Sequence, residues 1–158
     1  MRFNFSLERI MKLRKKFEDL AREELSKKIK ERQEVEERIH TIDLKISEFE
    51  REFNNELKFT ISPQKLQQLI EYREFLKKER IRLIKFLQKK LSEENVARQE
   101  YLKKKNEREV LEKLRERKYD DFMTELRKIE SKEMDEVAQN KFLRNKTNSD
   151  ENNNKKQA

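Results

Sequence analysis

The chain has 158 residues, 47% of them charged and 33% hydrophobic, with a formal net charge of +8, one proline, and no glycine, cysteine or tryptophan. Without glycine, the positive φ angles and close backbone approaches of tight β-turns and phosphate-cradling loops lack their usual residue, so sheet proteins, Rossmann folds and Gly-rich nucleotide loops are excluded. Zero cysteines removes disulfides, thiolate metal sites and a thiol nucleophile, and the single His40 cannot form a histidine cluster.

The opening residues 1–13 alternate polar with apolar, which is not the core of a signal peptide, and no apolar run reaches the length of a membrane span. A soluble cytoplasmic protein is expected. A first helix is read over about 5–57. Ile10, Leu13, Phe17 and Leu20 suggest a seam near its start. Val35, Ile39, Ile42, Ile46, Phe49 and Phe53 follow with the 4-3 spacing of a coiled coil. The two stretches do not share a phase when joined through Leu20, so a stutter is expected around Leu25, Ile29 and Arg32. His40 lies beside the seam and reads as an ordinary flanking side chain.

Ser62-Pro63 is the one clear punctuation: serine is a favoured N-cap, and proline fits the first helical position because its missing N–H needs no partner there. A loop of 58–62 and a second helix over about 63–143 follow. Its seam is read through Leu66, Leu69, Leu76, Leu83, Leu87, Leu91, Ala97, Tyr101, Arg108, Leu111, Leu114, Phe122, Leu126, Ile129 and Val137, with Glu94 and Lys104 or Lys105 intruding at core phase. A short loop between helices favours an antiparallel pair. The fold class is therefore all-α, a long two-helix antiparallel coiled-coil hairpin forming one domain over 1–144. Folding back near residue 60 leaves about 116–143 overhanging, and the Asn-rich tail 145–158 is expected to be disordered.

The excess charge is concentrated in 61–118, where 18 Lys and Arg face 10 Asp and Glu. Such a stretch can bind nucleic acid, but the interleaved glutamates fit a solvated face with i,i+4 pairs, and no stacking platform accompanies it. No concave site is expected to hold catalytic carboxylates, so the chain reads as a non-enzyme without cofactor or metal. Tyr72, Phe75 and Phe86 lie off the second helix's seam, as a broadened core or as an exposed docking stripe.

Two stretches carry a resemblance. Phe3-Asn4-Phe5-Ser6-Leu7 with Leu13-Arg14 resembles the opening of the flagellar FliJ family, Phe-x-Phe-x-Leu and a Leu-Arg pair. Leu111-Glu112-Lys113-Leu114-Arg115-Glu116-Arg117, Glu130 and Met134-Asp135-Glu136-Val137-Ala138 resemble its closing blocks. The resemblance covers about 3–144. It implies a non-enzymatic coiled coil, similar to the central stalk of rotary ATP synthases, within the flagellar type III export apparatus. The implied partners are the hexameric export ATPase, the export gate membrane protein and export chaperones, with the protein cytoplasmic and peripherally held at the inner membrane. Phe5, Leu7, Leu13, Phe122, Leu126, Ile129, Asp135 and Glu136 would then meet the ATPase. Tyr72, Phe75 and Phe86 would meet the gate. A structural homodimeric coiled coil and a basic nucleic-acid-binding rod remain as alternatives.

Overall fold

The computed structural model describes residues 1–157. They form two helices, α1 (Glu8–Glu56) and α2 (Pro63–Gln157), joined by a short loop into an all-α helical hairpin, with no strand among the described residues. At the loop, the Ser62 Oγ accepts the Lys65 N–H at 3.3 Å and the Ser62 carbonyl accepts the Leu66 N–H at 3.1 Å, so serine caps α2 and Pro63 begins it. α1 stops without a left-handed residue. Instead its last carbonyls are taken by tightened turns, Lys58 N–H to Asn55 at 3.2 Å and Phe59 N–H to Glu56 at 3.1 Å.

The described chain divides into two compact units, Lys12–Arg108 and Met1–Met11 with the chain from Glu109 on. Within Lys12–Arg108 the pairing is antiparallel: Asp43 meets Arg80 at 2.6 Å, Glu31 meets Lys90 at 3.1 Å, and Arg14 meets Glu107 at 2.7 Å.

Burial in this unit follows one unbroken heptad on each helix. On α1 the covered positions are Arg14, Glu18, Ala21, Leu25, Lys28, Arg32, Val35, Ile39, Ile42, Ile46, Phe49 and Phe53. On α2 they run through Leu66, Leu69, Arg73, Leu76, Arg80, Leu83, Leu87, Lys90, Glu94, Ala97, Tyr101, Lys104 and Arg108. The stutter expected at Leu25 to Arg32 is absent: both residues lie on the same seam as Val35. The expected stripe of Ile10, Leu13, Phe17 and Leu20 is exposed, each one residue before the true seam position. Leu91 is likewise exposed, and Lys90 holds the seam.

Most charged residues on the seam pair with a charge on the facing helix; Lys104 pairs with Glu100 and Glu107 of its own helix, and Arg73 lies 5.4 Å over the Phe53 ring with its Nε buried and without a hydrogen-bond partner. Glu18 is fully buried, held by Arg108, whose Nη2 also lies 3.4 Å from Glu18 Oε1, with Arg22 at 3.4 Å and Lys15 at 3.8 Å. Glu94, buried, accepts from Arg32 of α1 and from Arg98 at 3.0 Å. Their aliphatic stems fill the space between helices while their heads pair. Arg22 lies 5.6 Å over the Tyr101 ring and Lys104 5.7 Å over that of Phe17, which shields part of these rings from water.

In the second unit, the residues before α1 lie against α2. Phe5 is buried, Phe3 packs edge-on to Tyr119 at 5.2 Å and against Phe122 at 5.6 Å, and Arg115 pairs with Glu8 at 3.2 Å. The unpartnered part of α2 therefore begins beyond Leu126, not at 116. Non-helical residues advance about 3.3 Å each against 1.5 Å in a helix, so the first residues reach further along α2 than helical counting allows. From residue 127 to 157 every side chain is exposed. The structure also carries α2 to Gln157, past the expected end at 143, into the segment expected to be disordered. No glycine or proline interrupts it, and the hydroxyls of Thr147 and Ser149 bond back to the carbonyls of Leu143 and Asn145 at 2.6 and 2.9 Å.

Candidate docking surfaces

Two surfaces combine exposed apolar side chains with a defined backbone. The first flanks the loop. Tyr72 meets Phe49 edge-on at 5.2 Å and stacks with Phe75 at 6.4 Å, and Phe49 stacks on Phe53 at 5.8 Å. Phe49 is buried, whereas Tyr72 and Phe75 are 46% and 58% exposed, so the rings form a ladder from the seam to the surface. The expected stripe is therefore an open face. A groove of ≈ 240 Å³ lined by Phe49, Phe53, Phe59, Lys65 and Leu69 lies beside it.

Phe86 belongs to the same side of α2 but stands alone. Eleven residues separate it from Phe75, which is about 16 Å along the helix. The Lys90 ammonium sits 5.2 Å above its ring. Between them the Glu79–Arg82 ion pair interrupts the stripe. The hydrogen bond from Arg82 holds the Glu79 carboxyl below its usual range and raises Arg82 in return.

The second surface is α2 of the unit containing Met1–Met11. Phe122 and Leu126 are half-buried, and Ile129, Asp135 and Glu136 are exposed, Ile129 by 38%. Leu7 is half-buried nearby in the chain's other segment of this unit, but Phe5 is enclosed, so it supports the packing and offers little to a partner. Leu13 belongs to the Lys12–Arg108 unit, half exposed. Asp135 and Glu136 fall about 100° or more around the helix from Val137, away from the apolar face of Met134 and Val137.

Sequence reasoning missed a third feature, a groove of ≈ 430 Å³ between the helices where Ala21 and Ala97 leave space beside Val96 and Lys28. Two small residues at facing seam positions are the signal. Along this stretch Lys28, Glu31, Lys90 and Glu93 form a network, with Lys28 to Glu93 at 3.6 Å and Lys90 to Glu93 at 3.3 Å. Hydrogen bonds from Lys90 lower Glu31 and Glu93, and the bond to Glu31 raises Lys90. Burial would raise Glu94, but the hydrogen bonds of Arg32 and Arg98 outweigh it and the carboxyl is lowered.

Many cations of the basic segment are thus engaged in ion pairs: Arg80, Lys90, Arg98, Lys104, Arg108 and Arg115 all meet carboxylates. Among the described residues no His, Cys, Asp and Glu cluster is arranged to hold a metal, and no helix is long and apolar enough to cross a membrane.

The arrangement is that of a two-helix coiled coil built to present surfaces. A sequence profile described as flagellar FliJ protein matches residues 3–147, and the chain belongs to the FliJ family. It is a component of flagellar protein export, a role the family fills without enzymatic activity. No curated protein and no solved structure matches the chain.

Proposed function

We propose that this chain is the stalk of the export apparatus: it binds the hexameric export ATPase, promotes its turnover, and links it to the export gate. The observation that carries this reading is the stretch of α2 beyond Leu126, where Ile129, Met134 and Val137 are exposed, the last two by 73% and 66%. A helix with an uncovered apolar stripe is stabilised when another protein covers it. Phe122, Leu126, Ile129, Asp135 and Glu136 supply the ATPase contacts together with Leu7 of the same unit, Phe5 supports the packing of that unit, and Leu13 is a separate contact from the Lys12–Arg108 unit. Tyr72, Phe75 and Phe86 supply the gate contact, since exposed aromatics anchor interfaces disproportionately. Chaperone escort follows from the same family role, and the protein works at the cytoplasmic side of the inner membrane.

An asymmetric helix in a ring meets one subunit differently from the next. It biases turnover only through contacts that differ between subunit states. The test is co-elution with the ATP-loaded ATPase hexamer in size exclusion, comparing the full chain with a version ending at Leu126. Loss of co-elution on truncation supports the reading. Equal co-elution refutes the assignment of the ATPase contact to this stretch.

A further inference from the structure

Beyond Leu126 the exposed face of α2 carries a symmetric pattern. Glu130, Glu133, Met134, Val137, Ala138 and Lys141 border one shallow groove, and Met134 and Val137 are 73% and 66% exposed. At 100° per residue, Glu130, Glu133, Val137, Lys141 and Arg144 fall within an arc of about 80°. Centred on Val137, the two glutamates precede it by seven and four residues, and Lys141 and Arg144 follow it by four and seven. Among the described residues, none of these four charged side chains is engaged in an ion pair.

We infer that this face docks a second copy of the chain, antiparallel, with the two-fold axis at Val137. In that register Glu130 meets Arg144 of the second copy and Glu133 meets its Lys141, and both pairs recur on the other side of the axis. Val137 meets itself, and Met134 and Ala138 cover the flanks. A parallel pairing would set glutamate on glutamate and lysine on lysine, so the charge pattern selects the antiparallel one. The apolar area is small, and exposed ion pairs contribute little, which sets self-association at roughly 10–100 µM. This inference goes beyond the stalk reading. Its consequence is competition, because a copy seated here covers the face that the ATPase would use.

The test uses the chain alone, so its outcome does not depend on ATPase binding. Sedimentation equilibrium of the full chain is expected to show a 19.6 kDa monomer converting to dimer with concentration. Glu130→Lys with Glu133→Lys, and separately Lys141→Glu with Arg144→Glu, should each weaken the dimer about tenfold or more, because every pair becomes repulsive. Mixing the two variants should restore dimer, as opposite charges then face each other at both ends. Val137→Cys supplies the only thiol of the chain and should cross-link under mild oxidation, while Met123→Cys, far from the axis, should not. A chain that stays monomeric to about 200 µM, variants that dimerise unchanged, a mixture that fails to associate, or equal cross-linking at both positions would each overturn the inference.

Discussion

Replacing Glu18 with glutamine tests whether charged residues hold the seam together. The Glu18 carboxylate is wholly removed from solvent, with Arg108 across the interface and Arg22 and Lys15 on its own helix. Glutamine keeps the shape and one acceptor oxygen but removes the negative charge that the Arg108 guanidinium, itself only 15% accessible, faces across the interface. Removing one partner of a buried ion pair costs about 3–5 kcal/mol in a deep core, and losing a hydrogen bond to a charged group about 1.5–3 kcal/mol. In a coiled coil of two helices water lies close on either flank, so the lower part of these ranges applies, and the expected loss is about 2–3 kcal/mol. Urea unfolding followed by circular dichroism at 222 nm should show the midpoint falling at constant slope. The paired change Glu18→Leu with Arg108→Leu should recover most of the loss or exceed it, since apolar replacement of a buried pair is often neutral or stabilising. If Glu18→Gln unfolds within about 0.5 kcal/mol of the parent, or if the double change is as damaging as the single one, the seam does not depend on this pair.

Further outcomes follow from the same geometry. Glu31, Glu93 and Glu94 have carboxyls held low in the folded chain, so their contribution is present above the unfolded carboxylate value of about 4.3 and is lost as pH falls through the lower folded values. Lys90 is raised, so its share is present below about 10.4 and lost as pH rises through the folded value. Thermal melts should show a plateau between these limits, and a steady decline from pH 7 to 5 would contradict the assignment. Ending the chain at Leu126 should move the melting midpoint by no more than about 3 °C, because the side chains of residues 127–157 are all exposed; a larger drop would mean the segment contributes to the hairpin. Tyr72→Ala with Phe75→Ala should cost no more than about 1 kcal/mol in stability yet abolish capture by the export gate's cytoplasmic part, and unchanged capture would remove this surface from the gate.

The hairpin was legible because its cues are local. Absent glycine, one proline and the Ser62 cap fix the number of helices and the place of the loop, and residues 35 to 53 show their phase directly in Val, Ile and Phe. Upstream the reading went astray by one residue, which is about 100° of helix. A count of apolar side chains selects Ile10, Leu13, Phe17 and Leu20, yet the covered positions include Arg14, Glu18 and Ala21. Glu18 is buried there because of Arg108, ninety positions away in the chain, and no local window contains that information. Carrying the heptad backward from Phe53 through Ile46 and Ile39 would have arrived at Arg32, Leu25 and Glu18. Glu94, read from sequence with Lys104 or Lys105 as lying at core phase, is where the same rule was visible, since it pairs with Arg32 of the facing helix. The openness of Tyr72 and Phe75 depends on how far the facing helix covers them, and a single helix's periodicity does not contain that.

The measurement closest to the central claim is the ATP hydrolysis rate of the cognate export ATPase across a concentration series of this chain, full length and ending at Leu126. Stimulation by the full chain that disappears with the truncation, while the truncated hairpin keeps its melting midpoint, is the predicted result. Equal stimulation by both, or none by the full chain, would contradict a stalk that acts through the free end of α2.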